Sequence, residues 1–299
     1  MAESTDVGET GDLVRYGRQG PVAVLTLNRP ATANAQTGAL LYALDAAFYR
    51  FAEEDDAAVA ILTGEGRHFS AGHDIGPGGD RDKTFERVSM WWDHVGKPGA
   101  ENRLAREEEV YLGLCRRWRE IPKPTIAKVR GACIAGGLML AWACDFIYAS
   151  ETAYFSDPTV AMGVPGHEFF AHPWILGGRQ AKEFLFLGER IDARQARELG
   201  MVNRVFADAE LDEETMRLAR QIARMPRMGL ALAKMAVNQA EDAMGLRTGM
   251  DSVFGLHQLG HAHNSEVSGS PTLHRTSEEI KAVVNGRDWR QPPSRDADV

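Results

Sequence analysis

The sequence predicts an α/β fold on two observations. Short β-rich segments alternate with stretches whose apolar residues recur every three or four positions, at separations that suit right-handed β-α-β crossovers. From Phe169 onward the pattern is mostly helical, which adds a C-terminal helical layer to the α/β core.

Taken in order, Leu13 to Tyr16 with Gly17 and Gly20 pairs as a hairpin with Val22–Leu27, a strand closed at Pro30 because proline cannot donate to a ladder. From Thr37 the period changes. Leu40, Leu41, Leu44, Ala47, Phe48 and Phe51 fall on one helical face, and the acids at 53–56 end it. Val59–Thr63 is the next strand, and it feeds a flexible loop from Gly64 to Gly72. Residues 76–102 show no steady period and read as a mobile surface loop or short helices, with Phe85, Trp91 and Trp92 arguing against complete disorder. Val110, Leu114, Trp118 and Ile121 mark a helix that Pro122 and Pro124 terminate. There follow a strand at Thr125–Val129, a glycine-rich turn from Gly131 to Gly137, an apolar helix from Leu138 to Ala143, and strands at 145–149 and 153–155. Beyond Phe169, Val202–Phe206 is the one clear strand. Asp192 and Asp208 stand where a helix N-cap is wanted, Gly200 where a helix C-terminus favours positive φ, and helices at 208–224, 226–242 and 245–264 come in close succession.

Domain organisation follows: a disordered tail over 1–13, an α/β core over 14–207, a helical oligomerisation region over 208–265, and a polar extension over 266–299 with a loose end. Acidic residues number 42 against 34 basic ones, net −8, with no clustered basic stretch, so nucleic acid is not an expected partner. The longest uncharged run, Gly131–Cys144, is too short for the roughly 20 residues that span a bilayer, so no membrane segment is expected. Cys115, Cys133 and Cys144 form no C-x-x-C pair and read as core residues of a cytoplasmic protein.

Three segments occur in an order and spacing that resemble the crotonase (enoyl-CoA hydratase/isomerase) superfamily. They are Ser70-Ala-Gly-His-Asp-Ile75, the run Lys123 to Gly137, and Cys144-Asp145 followed by Phe155-Ser-Asp-Pro158. Leu27-Asn-Arg-Pro30, Leu187 to Ile191 and Ala196 to Val202 also look like that family, so the similarity spans about residues 14 to 265. The resemblance implies a spiral of repeated β-β-α units, an acyl-CoA substrate with no cofactor beyond that coenzyme A, and a homotrimer or hexamer. It also implies an oxyanion hole of two backbone N–H groups, at His73 and Gly136, with Ser70 and Ala71 lining the adenine pocket. The residues support the mapping on their own account. Gly136 and Gly137 open an apolar helix, whose unpaired N–H groups and positive dipole end favour an oxygen that gains charge. Close helix-to-sheet packing is the other reading of the same glycines.

The two glutamates that activate water in the family's hydratases correspond to Met139 and Thr159, neither of which can act as a general base. Proton transfer therefore has to come from elsewhere, and Gly163 to Trp174 is the richest segment. Glu168 is the first candidate, because Phe169 and Phe170 can desolvate it and raise its pKa; His167 is the second and Asp157 the third. The competing reading makes Glu168 the start of a surface helix. Asp74 reads as a loop-orienting residue, and the His73 imidazole as lining the coenzyme channel or facing solvent. No metal site is expected: His167 and His172 are five apart, about 140° around a helix, and His257, His261 and His263 read as a solvated helix face, with adventitious metal binding by the i,i+4 pair His257 and His261 as the other reading.

Overall fold

The computed structural model describes residues 13–75, 85–86, 95–273 and 275–285. β1 (Val14–Gln19) and β2 (Val22–Leu27) form the antiparallel hairpin, with Tyr16 opposite Leu25. α1 (Gly38–Glu53) starts where Thr37 Oγ1 accepts the Leu40 N–H at 3.2 Å, and it buries the apolar face read from the sequence. β3 (Val59–Gly64) follows. α2 (Ala100–Glu107) passes through a π-helical stretch, Glu108–Gly113, into α3 (Leu114–Glu120). β4 (Thr125–Val129), β5 (Ala132–Ile134), α4 (Gly136–Trp142), β6 (Phe146–Ser150) and β7 (Tyr154–Ser156) complete the centre of the chain. The C-terminal half contains α5 (His172–Leu176), α6 (Gly178–Leu187), β8 (Ile191–Asp192), α7 (Ala193–Glu198), β9 (Arg204–Phe206), α8 (Leu211–Ile222), α9 (Arg227–Ala243), α10 (Leu246–Ser268) and α11 (Ser277–Val284).

The main sheet runs β1-β2-β3-β4-β6-β9, parallel everywhere except at the hairpin, and β5-β7-β8 form a smaller sheet. Twice a main-sheet strand is followed at once by a strand of the small sheet: β4 by β5 and β6 by β7. Both faces of the main sheet are covered, as a parallel sheet requires. Ala60, Leu62 and Ala127 face the large core with α1, while Val59, Ile61, Ile126 and Tyr148 face α8 through Leu218 and Ala219.

Several elements differ from the sequence reading. The helix around Val110 begins ten residues earlier, at Ala100, in the segment expected to be a loop, and the glycine-rich turn contains β5. Asp208 caps nothing: α8 begins after Glu210, and Asp208 Oδ1 instead accepts from Arg130 Nε at 2.9 Å and Ser150 Oγ at 2.6 Å. Asp192 does cap α7, through Gln195 N–H at 2.8 Å, and Gly200 has φ +86°. α10 and α11 extend into the segment read as a polar extension, where Ile280 is buried. The expectations for residues 1–12, Trp91, Trp92 and the last dozen positions lie outside the described residues.

Candidate active site

Two parts of the chain meet at the end of β5. Gln36 bridges His73 in parallel fashion: its N–H donates to Gly72 O at 2.8 Å, and Asp74 N–H donates to Gln36 O at 2.9 Å. That pattern turns the N–H of His73 itself to the opposite side. There lies the start of α4, close enough that a Cβ on Gly136 would meet His73 Cε1 at 2.9 Å and Gln36 Oε1 at 2.8 Å. Ala135 swings the chain from β5 into α4 with φ +46° and ψ −110°, a conformation that costs a non-glycine residue of order 1–3 kcal/mol. As the first residue of α4, Gly136 has no carbonyl one turn back to accept its N–H. No hydrogen bond among the described residues occupies the N–H of His73 or of Gly136. Gly137 is required for packing as well, since a Cβ there would meet Ser70 O at 2.4 Å.

Over this pair sits a buried carboxylate. Glu168 Oε2 lies 3.1 Å from His73 Nε2, and Glu168 Oε1 lies 3.6 Å from His257 Nε2. The His73 ring stacks on Tyr111 at 3.9 Å between centroids, and Arg106 donates to the Tyr111 hydroxyl at 2.9 Å. The π-helical stretch sets this contact, because its wider turn changes the phase at which Tyr111 leaves the helix. Glu168 is not on a helix, which removes the surface-helix reading. Its pKa moves opposite to the expectation. Burial pushes the carboxyl up, but the charge and hydrogen bond of His73, with His257 behind, hold it well below the usual carboxylate range.

Beneath α4 a second polar cluster is almost fully buried. His172 Nε2 and Asp157 Oδ2 are 2.8 Å apart, and Asp157 also accepts the N–H groups of Thr159 and His167. Burial raises Asp157, yet the bond to His172 and the neighbouring imidazoles hold it well below the usual range. His167 packs on Trp142 and His172, with no partner for either ring nitrogen; burial is the main cause that lowers its pKa to about 3, so the ring is neutral. The helical angle invoked to separate His167 from His172 does not apply. Residues 167–171 are not helical, and the two rings lie 4.7 Å apart.

The comparisons with known proteins agree with this architecture. A family model described as enoyl-CoA hydratase/isomerase matches residues 17–269. The chain belongs to the enoyl-CoA hydratase/isomerase family. A Mycobacterium tuberculosis relative, named as an enoyl-CoA hydratase (EchA13), is 41% identical over 94% of this chain and 89% of its own. A 4-chlorobenzoyl coenzyme A dehalogenase-1 from an Arthrobacter species is 30% identical over 82% of this chain and 85% of its own. Among solved structures, a probable enoyl-CoA hydratase from Mycobacterium smegmatis superposes with TM-score 0.80 at 46% identity, covering 88% of this chain and 99% of that one. The fold is therefore the crotonase fold.

Against the family frame, the structure brings His73, Gly136 and Glu168 together and keeps His167 one layer below, in the Asp157 cluster. Met139 and Thr159 are both buried, and Thr159 Oγ1 has no partner. Asp74 orients its loop through an ion pair with Arg29 at 2.9 Å. Ser70 is fully buried; its N–H and C=O bond to Ala132 and Ile134 and its hydroxyl donates to Asn34 O at 2.9 Å, so its groups serve the loop itself. Ala71 donates its N–H to Ala33 O at 2.9 Å. Sequence reasoning missed Glu107 and Tyr111, and misplaced His257. The last of these is a correction: His257 and His261 are buried, not solvated, because α10 packs against α2. The signal available was the i,i+4 spacing of the two histidines. Among the described residues, two groups could hold a metal ion, Asp157 with His167 and His172, and Glu107 with His257 and His261. None of the described helices is long and apolar enough to cross a membrane.

Proposed function

We propose that this enzyme binds an acyl-CoA thioester, stabilises the enolate of its acyl group with the N–H groups of His73 and Gly136, and moves the α-proton through Glu168. The observation that carries the reading is the contact of Glu168 with His73. This carboxylate lands on the residue whose backbone would hold the developing oxyanion, in place of the two glutamates that Met139 and Thr159 replace. Oxyanion donors act where charge develops, and a base must reach the proton of the same substrate. Held below the usual carboxylate range, Glu168 starts the cycle as an anion, and so as proton acceptor rather than donor.

Isomerisation, hydration by a rearranged site, and lyase chemistry all pass through that enolate. Hydrolysis of a thioester or a C–C bond is the second enzymatic reading, and ligand binding without turnover the third. The test is a spectrophotometric panel of enoyl-, dienoyl- and β-ketoacyl-CoA substrates with thiol release followed in parallel. Turnover of an enolisable substrate without thiol release supports the proposal; thiol release alone, or binding with no turnover, overturns it.

Assembly as a trimer or hexamer belongs to the same reading. It is supported by α9, which buries no residue in the single chain and exposes Met228, Leu232, Met235 and Val237. A cytoplasmic location fits the three free cysteines.

A further inference from the structure

We infer that Glu107, His257 and His261 form a binding site for a divalent transition-metal ion of the zinc class. It is a site beside the acyl-CoA machinery, and the inference does not depend on that machinery working as proposed.

The argument starts from two tautomers. His257 Nδ1–H donates to Gly166 O at 2.8 Å, and His261 Nδ1–H donates to Pro271 O at 3.0 Å. Each bond places a proton on Nδ1, so in the neutral ring each Nε2 presents a lone pair, and a metal ion would take the place of the proton that otherwise lets His257 act as a charged neighbour of Glu168. Those lone pairs face one carboxylate: His257 Nε2 is 3.9 Å from Glu107 Oε2, and His261 Nε2 is 3.7 Å from Glu107 Oε1. Such distances are too long for hydrogen bonds. They are close to the ~3.3 Å that separates two ligand atoms around a tetrahedral ion with bonds of about 2.0–2.1 Å. With the rings neutral, acceptors face acceptors in a buried space, and a cation between them removes the repulsion. His257 is 3% exposed and its Nε2 has no hydrogen-bond partner.

The supporting contacts are those a metal site needs. Carbonyl groups hold the far nitrogen of both histidines, and Gln258 Nε2 donates to Glu107 and orients it. The i,i+4 spacing puts both rings on one face of α10, with α2 supplying the carboxylate. Two imidazoles and a carboxylate suit zinc and its first-row neighbours, and leave a fourth position for solvent. The Glu168 carboxylate, 3.6 Å from the same His257 Nε2, brings a second negative charge to the edge of the site. The other candidate group lacks this room, because Asp157 and His172 are already in direct contact at 2.8 Å.

The test uses the full chain, stripped with a chelator, exchanged into chelator-free buffer and titrated with Co²⁺, then with Zn²⁺ in competition. The parent is expected to bind one equivalent, with the visible d–d bands of a low-coordinate cobalt site that Zn²⁺ erases, and to melt at a higher temperature with Zn²⁺ present. Glu107→Gln and His261→Asn are expected to lose the equivalent and the thermal shift; His263→Asn, an exposed neighbour, and His167→Asn, in the other cluster, are expected to keep both. No stoichiometric binding by the folded parent overturns the proposal, whatever the variants do. Undiminished binding by His261→Asn, or its loss in His167→Asn, overturns it as well.

Discussion

The two halves of the site are built from different materials. On one side, the His73 loop and the start of α4 offer backbone N–H groups, aimed by a parallel bridge at Gln36 and by the turn at Ala135. On the other, Glu168, His257 and Glu107 offer side chains that gather from α2, α10 and the loop after β7. A backbone donor depends on how the chain turns, and its sequence trace is local and glycine-rich. A side-chain cluster depends on which distant elements pack together. Its residues can change with the reaction while the backbone half stays the same, which on the proposed reading is how Met139 and Thr159 can stand where the resemblance places the family's glutamates.

The sharpest way to break this division is to remove the side-chain half alone. Glu168→Gln keeps the shape and the His73 contact but not the charge, and is expected to lower kcat by about 10²–10⁴ with acyl-CoA affinity nearly unchanged. Steady-state kinetics beside a direct binding titration check it. An equal loss in affinity would make Glu168 a structural support.

The backbone half is tested by a pair of substitutions. Gly136→Pro deletes the N–H at a position where helices accept proline, and loss of one oxyanion donor costs about 10²–10³ in kcat. Gly136→Ala retains the N–H while adding the Cβ that would press on His73 and Gln36. With circular dichroism confirming both folds, the proline variant should be clearly slower than the alanine variant. Equal rates would mean that crowding, not the lost donor, is responsible.

The buried layer under the site makes a prediction about pH. Folded His167 titrates at about 3 against an ordinary value of 6.5, so between those values the unfolded chain binds a proton that the folded chain does not. The contribution to stability is complete above about pH 6.5 and falls with acidification, by on the order of 1.4 kcal/mol per pH unit within the window. His167→Asn should flatten the dependence of denaturant midpoint on pH between about 6 and 4. Asp157, held low in the folded state, contributes with the same sign, but its loss falls below about pH 4, so the two are separable.

The smallest expected effect on the single chain concerns α9. Leu232→Lys lies on an exposed surface and should change monomer stability by no more than about 0.5 kcal/mol. The same change should shift the mass in light scattering from a trimer or hexamer to smaller species. A monomeric parent at micromolar concentration would contradict the assembly.

How much was legible follows the same division. The hairpin, α1, the parallel strands and the α4 start were readable because their signals are local: Pro30, the apolar face from Leu40 to Phe51, and the Gly136-Gly137 pair. Glu168 was readable only as a carboxylate in a promising segment, and its pKa direction was missed because His73, 95 positions away, outweighs the adjacent phenylalanines. The π-helical stretch that carries Tyr111 to His73 left no sequence signal. His257 and His261 were misread because burial of α10 against α2 is a tertiary property, invisible in a polar helix pattern. Asp208 failed as a cap because Arg130 and Ser150, both distant in sequence, compete for its carboxylate.

The central claim is that Glu168 removes a proton from an acyl group whose enolate is held by His73 and Gly136. Its most direct measurement is exchange of the α-proton of an enolisable acyl-CoA in D₂O, followed by NMR in the parent and in Glu168→Gln. The account predicts deuterium incorporation at Cα by the parent and a rate lower by at least about 10² in the variant at equal saturation. Exchange at the parental rate in Glu168→Gln would contradict it, as would a parent that turns over its substrate with no exchange at Cα.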